Sequence, residues 1–289
     1  MFQTIGIYGK YNDATVKDAV SKLSDHLENK GKTVLLGGTT SKAILDNLSN
    51  IKITNEDLNK IDLAIVIGGD GTMLHVARLF ASNDVPIVGV NLGTLGFLTD
   101  IALNDMTQSI DCILDGKYHI EERLLLKMEI DNDGQVIHQD IALNEFVIGR
   151  DTHARLLHWR CFVDGVFLTR SRSDGVIVST PTGSTAYSLA AGGPIMQPGL
   201  DAIVIVPISP HTLSNRPIVL SASSKIEFEL DEANVENSHL SADGLISTRP
   251  KKGDTIRIER DHHRVKMVKP LNHDYYATLR SKLNWGEIH

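Results

Sequence analysis

Leu63-Ala64-Ile65-Val66-Ile67-Gly68-Gly69-Asp70-Gly71-Thr72 runs five apolar residues without a break into a glycine-rich turn that carries one acid. An apolar run of that length, bounded by glycine, reads as a buried strand, and the turn beyond it as a phosphate-handling loop. Glycines let backbone N–H groups close on phosphate oxygens with no Cβ in the way. The carboxylate of Asp70 then stands where a hydroxyl nucleophile can be oriented, which points to phosphoryl transfer. A second reading makes the segment a plain strand–helix turn in which Asp70 caps a helix beginning near Thr72. These ten residues leave both open.

The flanking pattern alternates strand and helix. Residues 4–8 are a short apolar run, Val16, Ala19, Val20, Leu23 and Leu27 mark one helical face, and residues 33–36 are a second apolar run. Residues 39–48 have a helical pattern, 72–80 another, and 86–90 a further strand, so the first part is a parallel sheet flanked by helices. After a helical stretch over 106–114 the period changes to two, with Leu124, Leu126, Met128 and Ile130 on one face. Asp133-Gly134 and Asp164-Gly165 read as hairpin turns, and strands are expected over 156–163, 166–169, 175–179, 202–206, 217–220, 225–230 and 255–260. We therefore predict an α/β domain over residues 1–115, a β-rich domain over 116–268, and a C-terminal segment, 269–289, packing back on the first.

A chain of 289 residues exceeds one usual core, so two domains are expected. No uninterrupted apolar stretch is long enough to cross a bilayer, and Met1-Phe2-Gln3-Thr4 lacks the basic start of a signal peptide, so a cytoplasmic enzyme with no membrane partner is expected. A net charge of -7 with no basic run argues against a nucleic-acid surface. Polyphosphate charge must then be met locally, by glycine-loop N–H groups, a few Arg or Lys side chains and a divalent cation, Mg2+, carried on the nucleotide. No metal-ligand motif is visible. Cys112 and Cys161 lie far apart and read as core thiols, and His262-His263 reads as a solvated turn rather than a zinc site.

A second segment, Ser179-Thr180-Pro181-Thr182-Gly183-Ser184-Thr185-Ala186-Tyr187, follows a strand and precedes a helical pattern. Its hydroxyls and free N–H groups at a helix start suggest an anion-binding surface, although one hydroxyl is explained equally by capping. Tyr187 offers an aromatic face to a ring or to the core. Upstream, Arg170-Ser171-Arg172-Ser173-Asp174-Gly175 reads either as a salt-bridged loop or as a contact in which Asp174 meets an amide or sugar and Arg172 a phosphate. Asn144-Glu145 interrupts an apolar context and needs partners, since burial without them costs about 1–3 kcal/mol per group. Ribose hydroxyls or a neighbouring turn would serve. Neither a Walker sequence nor the dinucleotide fingerprint is present, which disfavours a hydride-transfer Rossmann enzyme.

Together these motifs resemble the NAD kinase family. Gly68 to Thr72 alone is shared with diacylglycerol kinase and 6-phosphofructokinase relatives, but its combination with Asn91-Leu92-Gly93-Thr94-Leu95-Gly96-Phe97-Leu98, Asn144-Glu145 and the block from Arg172 to Tyr187 is far more specific. Gly192-Gly193-Pro194, the run from Pro210 to Pro217 and Lys282-Leu283-Asn284-Trp285 are similar to the bacterial branch. The resemblance implies a Rossmann-like N-terminal α/β domain, a C-terminal β-sandwich, and a homo-oligomer, often a tetramer. It also implies transfer of the γ-phosphoryl of ATP to the 2′-hydroxyl of the adenosine ribose of NAD. By motif position Asp70 is the catalytic carboxylate, and Gly68, Gly69, Gly71 and Thr72 handle phosphate. Gly71, Phe97, Asn144, Glu145, Arg172, Asp174, Thr182, Thr185, Ala186, Tyr187 and Asp243 fall at NAD-contacting positions. A lipid or sugar kinase would share the first loop only, and a silent NAD(P)-binding regulator would usually lose the acid.

Overall fold

The computed structural model describes residues 2–9, 14–37, 58–93, 96–151, 155–212, 214–232 and 235–285. The helix expected over 39–48 lies outside them. The chain divides into two compact units, one of residues 1–122 with 265–289 and the other of residues 123–264.

In the first unit, β1 (Thr4–Gly9), α1 (Ala14–Asn29), β2 (Thr33–Leu36), β3 (Leu63–Ile67), α2 (Asp70–Phe80), β4 (Ile87–Asn91), the two-residue β5 (Ile101–Ala102) and α3 (Met106–Leu114) follow one another. The strands lie parallel in the order β4-β3-β1-β2, with β5 beside β4. Every residue of β3 and β4 is buried, as expected of strands covered on both faces. The helical spacing of Val16, Ala19, Val20, Leu23 and Leu27 puts all five into the core with Ile5, Ile7, Ile65 and Val88. The sheet thus fixes the C-terminal ends of β3 and β4, where ligands of open α/β sheets gather.

The second unit is built from β6 (Tyr118–Asn132), β7 (Gln135–Ala142), β8 (Glu145–Arg150), β9 (Leu157–Val163), β10 (Val166–Ser173), β11 (Gly175–Ser179), a single helical turn α4 (Tyr187–Ala190), β12 (Ala202–Ile208), β13 (Ile218–Ser221), β14 (Ile226–Leu230), β15 (Ser238–Ala242), β16 (Leu245–Thr248) and β17 (Thr255–Pro270). One sheet has the order β13-β12-β11-β8-β15-β16, and the facing layer contains β10-β9-β14-β17 with the β6–β7 hairpin. Leu126 and Met128 of β6, Phe146 and Ile148 of β8, Val176 and Val178 of β11 and Phe228 of β14 share one core between the two layers, which is a β-sandwich. On the other face of the six-stranded sheet, Ile177, Val204 and Val206 pack with Met196, so the segment after α4 covers that face. β17 ends in the first unit, followed there by α5 (Tyr275–Leu283), whose N-cap Asp274 accepts from Tyr276 and Ala277 N–H.

Three local expectations are corrected. Arg170 to Ser173, read as a loop, continue β10, because Ser171 and Ser173 point inward at buried positions while Arg170 and Arg172 alternate outward. His262-His263 are not a turn but lie inside the sixteen-residue β17. Their Nδ1 atoms both approach the buried Asp261, at 3.4 and 2.9 Å, and His262 itself is 80% exposed. Of the two thiols, Cys161 is buried, with its pKa pushed up to about 12 by burial, while Cys112 is only half-buried.

Candidate functional site

In the first unit, β3 delivers Gly68 and Gly69 and α2 begins at Asp70, with Gly69 as the N-cap. Asp70 therefore occupies the first helical position and does not cap its own helix. Its carboxylate reaches across to the segment after β4, where Phe97 N–H donates to Oδ2 at 3.0 Å and Leu98 N–H to Oδ1 at 3.1 Å. That segment is tied internally. The buried Asn91 donates to Thr99 Oγ1 at 2.7 Å and accepts from Gly93 N–H at 2.8 Å, and Gly96 N–H donates to Thr99 Oγ1 at 3.1 Å. A Cβ on Gly96 would stand 2.0 Å from Asp70 Oδ1, so only glycine lets the acid and this loop meet.

The glycines of the first loop divide by role. A Cβ on Gly68 would lie 2.7 Å from Thr72 Oγ1, a packing constraint. On Gly69 or Gly71 it would meet nothing within 4 Å, and both residues are exposed. Packing explains neither glycine, and Gly69 has φ -95°, a value open to any residue. The open space at both leaves their N–H groups accessible to an anion.

In the second unit, Asn144 and Glu145 enter β8 at a turn held by Asp243. That residue sits with Gly244 at positive φ, 49° and 80°, in the tight connection from β15 to β16. Its carboxylate accepts from the N–H groups of Leu143, Asn144 and Glu145 at 2.9, 2.7 and 3.2 Å. The Asn144 carbonyl accepts from Thr180 N–H at 2.9 Å and Ser179 Oγ at 3.2 Å, and a Cβ on Gly183 would strike it at 2.2 Å. Glu145 is 5% exposed, and its Oε2 has no hydrogen-bond partner among the described residues. Burial, with the Asp243 charge adding to it, pushes its pKa up to about 8. A buried carboxyl with an unused oxygen is suited to a hydroxyl-bearing ligand.

The hydroxyl-rich segment corrects the expectation of an anion-binding helix start. Thr180 Oγ1 donates to the Leu143 carbonyl at 2.6 Å, Ser184 Oγ to Pro181 at 2.6 Å and Thr185 Oγ1 to Thr182 at 3.3 Å. These hydroxyls shape the loop, and the helix beyond it has only four residues and no side-chain cap. Thr182 Oγ1 accepts from the buried Arg123 at 3.4 Å. The loop presents Thr185 and Ala186 half-buried and Tyr187 45% exposed.

Asp174 pairs with Arg150 of β8, Nε to Oδ1 at 2.6 Å, rather than with the arginines next to it in sequence. Arg172 instead opens, with Arg170, His158 and Arg160, onto a cavity of about 640 Å³ that also takes in Asp231 and Glu232. The strand register explains this grouping, since Arg172 faces His158 and Arg170 faces Arg160 across β9–β10. Sequence reasoning missed the N–H groups of Phe97 and Leu98 as the partners of the acid, and Asn91, Gly96 and Thr99 as the residues that tie that segment together. The only signal available was their clustering just after a predicted strand.

Two domain families match the sequence: the ATP-NAD kinase N-terminal domain over residues 8–118 and the ATP-NAD kinase C-terminal domain over residues 143–270. The chain is 41% identical over 289 residues to an NAD kinase of Hydrogenovibrio crunogenus, covering 99% of both chains. It is 42% identical over 285 residues to an NAD kinase of Teredinibacter turnerae, covering 99% of this chain and 97% of that one. Among solved structures it is similar to a yeast NADH kinase complexed with NADH, with a TM-score of 0.91 at 27% identity over 99% of this chain and 89% of that chain. An NAD kinase from Archaeoglobus fulgidus in complex with ATP gives a TM-score of 0.74 at 26% identity over 98% and 99%. Full-length similarity at this level, both domain matches and a strand–GGDGT–helix unit whose acid is anchored outside its own helix agree, and the chain belongs to the ATP-NAD kinase family.

Proposed function

We propose that this chain carries out the ATP-dependent phosphorylation of NAD to NADP with Asp70 as the group that orients the acceptor, the 2′-hydroxyl of the adenosine ribose. The observation that carries the assignment is the Asp70 carboxylate, withdrawn from its own helix and fixed by two N–H groups of the 96–99 loop. The ribose oxygen attacks the γ-phosphorus, the bond to the β–γ bridging oxygen breaks, ADP leaves, and the hydroxyl proton passes late to the Asp70 carboxylate and on to water. Such transfers pass through a loose transition state, so positioning and charge neutralisation outweigh proton abstraction.

Gly68, Gly69, Gly71 and Thr72 meet the phosphates, as the open space at Gly69 and Gly71 supports. Phe97, half-buried beside the acid, packs against the adenine. Asn144 and the partnerless oxygen of Glu145 meet ribose hydroxyls, while Thr182, Thr185, Ala186 and Tyr187 line the dinucleotide pocket. Asp243 acts through the turn it holds, and Arg172 and Asp174 contribute a charged edge. Mg2+ carried on the ATP phosphates would neutralise developing charge there, while the carboxylates of Asp70 and Asp243 are already engaged by backbone N–H groups.

The enzyme works in the cytoplasm as a homo-oligomer, a tetramer. Val166 and Phe167 at the β9–β10 turn and Leu245 and Ile246 on the edge strand β16 are 53–70% exposed, apolar area that a second copy would cover. Incubating the protein with ATP and Mg2+ and with NAD, NADH or diacylglycerol as acceptor tests the reading. NADP formation from NAD supports it, and phosphorylation of the lipid alone overturns it.

A further inference from the structure

We propose that Asp100, Lys269 and His273 form a clamp that positions Asp70 for transfer, an inference that rests on the role given to Asp70 above. Asp70 is held by the N–H groups of Phe97 and Leu98, so where its carboxylate stands depends on where residues 96–99 are anchored. Asp100 follows directly. Its Oδ2 accepts from Lys269 Nζ at 2.6 Å, and its Oδ1 lies 3.1 Å from His273 Nδ1. Lys269 lies at the end of β17, and His273 in the connection before α5.

All three groups are withdrawn from water, the side chains being 6%, 0% and 11% exposed. Burial alone would push the Asp100 carboxyl up, but the hydrogen bonds and charges of His273 and Lys269 together hold it below its ordinary value. The acid is therefore ionised and the pair charged in the interior. An ion pair placed there stabilises no better than an apolar pair of the same volume, because desolvation cancels most of the attraction. Its distinctive contribution is direction: two short, charge-assisted contacts fix one carboxylate, and with it the backbone leading from Leu98, more closely than packing does.

Thr99 supplies the link. Its hydroxyl joins Asn91 at the end of β4 to Gly96 N–H, so the segment that holds Asp70 is tied at one end to the sheet and at the other to the C-terminal segment. A displacement of about 1 Å at a reacting group can lower turnover about a hundredfold. The clamp is thus a positioning device. It touches neither substrate nor the transferred phosphoryl.

The test replaces both charges together. Asp100→Leu with Lys269→Met keeps the volume and removes the ion pair, and it is compared with each single substitution, with Asp70→Asn and with the parent chain. We expect each single substitution to lower both the urea midpoint and kcat. The pair should recover the midpoint yet keep kcat at least about tenfold down, with KM for NAD within about twofold. Recovery of both midpoint and kcat in the pair would overturn the proposal. Should the pair fail to fold, His273→Ala against His273→Asn decides: kcat falling about threefold or more in the first and returning in the second supports the clamp, and equal kcat in both overturns it. If Asp70→Asn keeps full turnover, the reading of Asp70 itself is wrong. If Asp70→Asn is dead while the charge-free pair is fully active, only the clamp is wrong.

Discussion

Substituting Glu145 by Gln should make the second unit more stable at pH 8 and leave it nearly unchanged at pH 4.5. In the folded chain this carboxyl holds its proton up to about 8, whereas an exposed glutamate gives it up near 4.5. The displacement is upward, so the linkage runs against stability as pH rises. Between the two values the unfolded chain is ionised and the folded chain is not, and stability falls throughout that window before levelling above it. At 1.36 kcal/mol per unit, the whole window amounts to about 3–5 kcal/mol. The Glu145→Gln amide keeps the shape without the titration. Urea unfolding of parent and variant, followed at pH 5, 6, 7 and 8, should show a stability difference that grows in favour of the variant by about 1 kcal/mol per unit. Identical pH dependence in the two chains would refute the reasoning, because burial beside Asp243 would then not hold the proton.

Gly96→Ala should lower kcat at least about a hundredfold in the NADP-forming assay, since its Cβ would lie 2.0 Å from Asp70 Oδ1 and must displace the acid. Asp243→Ala strands three backbone N–H groups and breaks a positive-φ turn, so unfolding titrations should show a loss of about 2–5 kcal/mol, with KM for NAD raised. Tyr187→Ala, at a residue 45% exposed, should change stability by less than about 0.5 kcal/mol while raising KM for NAD more than that for ATP.

The helical spacing from Val16 to Leu27 and the apolar runs at 63–67 and 202–206 carry their burial on their face, so the two-part α/β and β organisation was legible in the sequence. So was the place of Asp70 at the turn after β3, but not its partners, because contact of residue 70 with residues 97 and 98 depends on β3 and β4 lying side by side. Arg170 to Ser173 were mistaken for a loop because their inward positions carry serine, small and polar enough to hide an alternation that burial reveals. The hydroxyls of 179–185 suggested a ligand surface, yet most are used on carbonyls of their own and neighbouring turns. Asp243 was singled out only by the family resemblance, as an NAD-contacting position, and its hold on residues 143–145 comes from the pairing of β15 with β8.

The role of Asp70 is tested most directly by Asp70→Asn, in which the amide keeps the size of the acid but loses its charge. With ATP, Mg2+ and NAD at saturation, kcat for NADP formation should fall by about a thousandfold or more, while the Kd for NAD, measured by calorimetry, stays within about twofold. A variant that turns over within about threefold of the parent would show that the carboxylate is no more than a tether for the 96–99 loop.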